Sequence, residues 1–172
     1  RPRRAPGLYH MAIRVPSRRA LAQVLRRMVE THYPLDGAAD HGVSEALYLA
    51  DPAGNGIEIY RDTPADTWRR RDGSLQMGTG ILDLENLLAG AAGAAWTGFP
   101  AGSRIGHVHL KVSAIEPATH FYHDVLGFDV TQRYGSDAVF LSAGGYHHHI
   151  GANTWESAGS VPAPAGSLGL HS

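Results

Sequence analysis

The chain contains no cysteine. That absence excludes a disulfide framework, a thiolate metal site and a cysteine nucleophile together. Long apolar runs are missing as well. No stretch approaches the roughly 18 apolar residues of a membrane-spanning helix, and the N-terminus lacks the charged-then-apolar pattern of a secretory signal. Nor is there an excess of charge of either sign, with 15 Lys and Arg against 16 Asp and Glu for a net charge of −1. Nothing in that balance points to nucleic acid or an anionic membrane, and the basic start RPRR is too short to do so. The expectation is a globular cytoplasmic protein acting on a neutral or modestly charged small molecule, with no nucleic-acid or membrane partner. At 172 residues, 43% of them hydrophobic, the chain can bury a core of one domain or of two small halves.

Histidine, by contrast, is abundant, with eleven copies. It is the commonest transition-metal ligand and the one side chain that titrates unperturbed near neutrality, so the search turns to metal and proton chemistry. Three of the copies are consecutive, His147, His148 and His149, within SAGGYHHHIGANTW at 142–155.

Self-comparison reveals a duplication. YHMAIRV at 9–15 and GHVHLKV at 106–112 share His-x-x-(Ile/Leu)-(Arg/Lys)-Val, and each opens a similar succession of elements. In the first copy HMAIRV alternates as a strand, Ser17 caps an apolar-periodic helix from Arg18 to Glu30, and EALYLADPAGNGIEIYRD reads as a hairpin. In the second, HVHLKV is a strand, Glu116 to Val125 a helix ended by Gly127, and FDVTQRY, AVFLSA and YHHHIGA are three short strands. Each copy is therefore βαβββ. The expected organisation is a first module at 7–62, a linker at 63–104 with a WRRRDG turn and an amphipathic ILDLENLLAGAA helix, a second module at 105–155 and a coil tail at 156–172. A βαβββ unit leaves one face of its curved sheet open. The fold expected is thus α+β, with paired modules whose mixed sheets face each other around a cavity.

The first strand of each copy carries a histidine at its start, His10 and His107. Glu58 sits between Ile57 and Ile59 on a strand that otherwise reads as core, where a carboxylate needs a cation. Two imidazoles and one carboxylate make the facial ligand set that leaves positions open on non-haem Fe(II). Taken singly, each histidine is as readily a hydrogen-bonded core residue, and Glu58 an outward strand residue. Their equivalent places in an internal repeat are what join them.

ATHFYHDVLGFDV, DPAGNGIEIYRD and the paired His-x-x-(Ile/Leu)-x-Val strands resemble the vicinal oxygen chelate superfamily of glyoxalases, bleomycin-resistance proteins and extradiol dioxygenases. Within it, DHGVSEALYLADPAGNGIEIYRD and FLSAGGYHHHIGANTW are similar to the catechol 2,3-dioxygenase branch, over roughly residues 7 to 155. The resemblance implies His10, Glu58 and His107 as iron ligands, Tyr48 and His41 beside the substrate oxygens, and His109 at a polar position near bound oxygen. It also implies His148 as the acid–base histidine, with His147 its neighbour. Strand alternation alone would put His147 and His149 on one face and His148 on the other, unless a bulge follows Gly144-Gly145. His32, His120, His123 and His171 read as helix-surface or tail residues, and Trp68, Trp96 and Trp155 as packing.

The implied reaction is Fe(II)-dependent, with Mn(II) as the alternative metal, and opens a catechol with O2 to a hydroxymuconic semialdehyde-type product. Other readings are a glyoxalase-like isomerase or lyase using Zn or Ni, and a metal-free protein that binds drugs or aromatics as bleomycin-resistance relatives do. The branch usually has four modules, so this chain is expected to correspond to the inner two, either lacking flanking modules or pairing as a homodimer.

Overall fold

A computed structural model describes residues 4–93 and 95–162. The first three residues of the basic start, the end of the coil tail and His171 lie outside the described residues. In chain order the elements are β1 (Gly7–Arg14), α1 (Arg18–Glu30), β2 (Gly37–Asp40), β3 (Ser44–Ala50), β4 (Gly56–Asp62), β5 (Arg70–Arg71), β6 (Ser74–Leu75) and α2 (Leu84–Ala89). They continue with β7 (Arg104–Lys111), α3 (Ile115–Thr119), β8 (Asp129–Tyr134), β9 (Ala138–Ser142) and β10 (Ile150–Asn153). The fold is α+β. Its main sheet runs β2-β3-β4-β1-β7-β10-β9-β8 and is mixed, because β10 is parallel to β7 and antiparallel to β9. Among the described residues no helix is long and apolar enough to cross a membrane.

The chain divides into two compact units, and the division passes through β1 between Met11 and Ala12. The unit comprising Ala12–Arg70 and Gln76–Gly106 is built on α1. That helix starts where the sequence places it because Ser17 Oγ accepts the Ala20 N–H at 3.1 Å. Its apolar face, Leu21, Val24 and Leu25, packs on Leu47 and Ile59. Leu82, Leu87 and Ala91, from the segment read as linker, join the same core. The helix there is shorter than the 81–92 pattern suggests. Asp83 accepts the Asn86 N–H at 2.9 Å and so starts it late, and Gly90 follows its last residue. The β3–β4 hairpin turns on Asp51, whose Oδ1 accepts the N–H groups of Ala53 and Asn55 at 2.9 and 2.8 Å. The WRRRDG turn is realised as the β5–β6 hairpin, with Asp72 and Gly73 both at positive φ, 51° and 81°.

The other unit holds the chain up to Met11, Arg71–Leu75 and the residues from His107 onward. Its core is Ile115, Val139, Leu141 and Ala152, with Tyr122, Phe128 and Val130 packed against them. Two expectations are corrected here. The helix drawn from Glu116 to Val125 is α-helical only to Thr119 and continues as a π-helix over His120–Val125. The run YHHHIGA is strand only from Ile150 onward, and residues 143–149 form an irregular connection. The cause is local. Gly144 and Gly145 both take left-handed backbone, φ 67° and 76°, which breaks the extended alternation before the histidines are reached.

Candidate metal centre

In the unit that contains β10, the connection of residues 143–149 is held by hydrogen bonds at its C-terminal end. His149 N–H donates to Leu141 O at 2.8 Å, and the Thr131 hydroxyl donates to His147 O at 2.7 Å. His149 Nδ1 accepts the Ala143 N–H at 3.2 Å, which ties that ring to the turn itself. His147 and His148 are then both buried, 0% and 8% exposed, rather than alternating in and out. Their Nδ1 atoms lie 2.8 Å apart, so one donates and the other accepts. The His148 ring centroid is 4.1 Å from that of His107, and Tyr146 lies against His147 at 4.0 Å. The His10 ring is 5.6 Å from His107 and 4.9 Å from His109.

Burial, followed by the charges that His107, His147, His109 and His10 would carry, pushes the His148 pKa well below its ordinary 6.5. His148 is consequently neutral at pH 7 and offers a lone pair.

In the other unit, the β3–β4 register pairs Tyr48 with Glu58, which puts the two side chains on one face. His41 Nδ1 is 2.6 Å from Gly78 O, and its Nε2 is 2.6 Å from the Tyr48 hydroxyl. A carbonyl can only accept, so Nδ1 of His41 carries a proton, and when the ring is neutral its Nε2 accepts from the Tyr48 O–H. The phenolic oxygen is thereby polarised and keeps lone pairs for another donor. Tyr48 also packs against Ala12, Ala46 and Tyr60.

His10 and His107 in one unit and Glu58 in the other are all buried, and each offers one atom that could bind a metal ion. Two imidazoles and a carboxylate without thiolates suit Fe(II) or Mn(II), and the donor set fits such an ion.

Two neighbours of this group were not singled out in the sequence. Asn153, fully buried, has its Nδ2 3.0 Å from His109 Nε2. A polar amide closing the apolar strand IGAN was the available signal, since a buried amide needs partners. Trp155, read as packing, is half exposed, with its ring 5.6 Å from both His109 and Tyr9. The other aromatic readings agree with the structure. Trp68 Nε1 donates to Thr63 at 3.0 Å, and Trp96 lies under the Arg27 guanidinium at 5.9 Å. His32, His120 and His123 are exposed, with His120 bonded to Asp124 at 2.8 Å and His123 to Phe128 O at 2.6 Å.

A family model described as the glyoxalase/bleomycin resistance protein/dioxygenase superfamily matches residues 104–165. A curated protein of Bacillus subtilis (strain 168) named catechol-2,3-dioxygenase is 49% identical over 170 residues, covering 98% of this chain and 59% of the relative. The chain thus spans less than two thirds of that relative's length. A solved structure of a candidate dioxygenase from Bacillus subtilis subsp. subtilis strain 168 superposes with a TM-score of 0.55 at 16% identity, over 92% of this chain and 47% of that one, a likeness of fold alone. The family model thus covers residues 104–165, and the 49% identity to the Bacillus subtilis protein extends the similarity to the glyoxalase/bleomycin resistance protein/dioxygenase superfamily over 98% of this chain.

Proposed function

We propose that the protein is an extradiol ring-cleaving dioxygenase that holds Fe(II) on His10, Glu58 and His107 and opens a catechol with O2. The observation that carries this reading is the burial of two imidazoles and one carboxylate that together make a set able to hold a metal ion. It is supported by the relative named catechol-2,3-dioxygenase at 49% identity. Both oxygen atoms enter the product, the O–O bond and one ring C–C bond beside the diol break, and a hydroxymuconic semialdehyde results. Bound iron would supply adjacent open positions for the diol and O2, which removes the entropic cost of their meeting and lets electron density pass between them.

The protein groups handle position and protons. Tyr48, its O–H committed to His41, accepts a hydrogen bond from a catechol hydroxyl and orients the ring. His148 is neutral for a reason the site itself provides, so it can take a catechol proton and give it back as the O–O bond breaks. His147, hydrogen-bonded to it, fixes which nitrogen of His148 is available. The partners are accordingly a catechol and O2.

Anaerobic loading with Fe(II), followed by catechol and air, tests this directly. Oxygen uptake with a yellow ring-opened product is the expected result. Stoichiometric Zn or Ni in the purified protein, with no oxygen uptake on any catechol after iron loading, would overturn it in favour of the isomerase reading. Tight catechol binding that is indifferent to metal would favour a binding protein.

A further inference from the structure

We propose that Asn153 is a positioning residue that holds His109 as the neutral tautomer with its proton on Nδ1. The backbone N–H of Trp155 can only donate, and it lies 3.2 Å from Asn153 Oδ1. That fixes which end of the amide is oxygen and turns Nδ2 toward His109, where it meets Nε2 at 3.0 Å. An amide NH2 has no lone pair to offer, so Nε2 must accept. The imidazole proton therefore resides on Nδ1.

The surroundings hold the ring closely. In the parallel β7–β10 pairing His109 stands opposite Gly151, and a Cβ at Gly151 would come within 2.9 Å of His109 Cγ. The imidazole lies flat over the space that this glycine leaves. Tyr9, Trp155 and Phe140 flank it with ring centroids at 5.2, 5.6 and 5.7 Å. Gly151 sets the plane of His109, and Asn153 sets its polarity.

A consequence follows that depends on the dioxygenase reading. With His109 two residues beyond the ligand His107, a fixed Nδ1–H makes it a hydrogen-bond donor and leaves proton acceptance to His148. Two histidines near one ion then have different, non-competing roles, decided by which atom each presents.

Long-range 1H–15N correlation spectra of the full chain, metal-free and loaded with diamagnetic Zn(II), read the tautomer without any turnover. The His109 signals are identified by their loss in His109→Gln. The expected pattern is a protonated Nδ1 and an unprotonated Nε2. Asn153→Asp keeps an acceptor for the Trp155 N–H but offers Nε2 a carboxylate, and should move the proton to Nε2. A wild-type ring protonated on Nε2, an even mixture, or an unchanged spectrum in a folded Asn153→Asp protein would overturn the assignment. Should that variant fail to fold, the wild-type spectrum decides alone. In the folded variant, catechol cleavage should drop about tenfold or more with Fe(II) stoichiometry unchanged. Full turnover with the tautomer switched would refute the donor role. If no form of the protein cleaves catechol while the wild-type spectrum is as expected, the dioxygenase reading fails and the Asn153 assignment stands.

Discussion

His148 shows how much a single side chain's chemistry depends on its surroundings. Desolvation comes first and the neighbouring imidazoles second, and both oppose the imidazolium. Its pKa in the folded protein is thus below its unfolded value of 6.5, and between those two values the unfolded chain binds more protons than the native one. Stability that this residue leaves intact above 6.5 is therefore lost as pH falls from 6.5 toward the native pKa. Urea denaturation of the metal-free protein from about pH 7.5 down to about pH 5 should show a decline, and His148→Gln should flatten it. Equal slopes in the two proteins would show that His148 is not the group responsible. The same variant should retain iron and lose catechol turnover by about a hundredfold or more, as expected for a proton-transfer group that is not a ligand.

Whole elements separate into those governed by local sequence and those that are not. Helix α1 is where the sequence indicates, because a 3.6-residue apolar period and a serine cap act within a few residues of one another. Ser17→Ala should lower unfolding stability by about 1 kcal/mol, measurable by urea titration. The histidine triplet is the contrasting case. Period-two alternation suggests one face for His147 and the opposite face for His148, yet both are buried. Two consecutive left-handed glycines and hydrogen bonds to Leu141 and Thr131, far back in the chain, set their direction. A Cβ on Gly145 meets no atom within 4 Å, so Gly145→Ala suffers only backbone strain, about 1–2 kcal/mol. Its turnover should fall further than that stability loss explains, because the turn directs both histidines. A variant with lower stability and full activity would mean that the turn is merely structural. The π-helical turn at His120–Val125 was likewise illegible, since its apolar spacing reads as ordinary α-helix.

At the scale of the molecule, metal binding and stability are linked. An ion held only by the native state stabilises by about 2.7 kcal/mol at a hundredfold excess over its dissociation constant. Fe(II) or Mn(II), added anaerobically, should raise the melting temperature, and a chelator should reverse the rise. Glu58→Gln and His10→Ala should abolish the response. A melting temperature indifferent to metal in the wild type, or an unchanged response in either variant, would remove the metal centre. For these two variants iron content should fall together with activity, whereas in His148→Gln only activity should fall.

The amino-acid order alone determined the repeated strand motif, helix α1 and the β3–β4 hairpin, and it singled out His10, Glu58 and His107 as candidate ligands. A repeated strand motif, a capped amphipathic period and an acid within an apolar strand are each readable from a dozen neighbouring residues. Tertiary structure alone decided that Tyr48 bonds to His41, that His147 and His148 are buried together, and that Asn153 and Gly151 hold His109. A hydrogen bond between residues 44 positions apart leaves no periodic trace in the sequence, because its geometry exists only once the strands carrying both partners have paired.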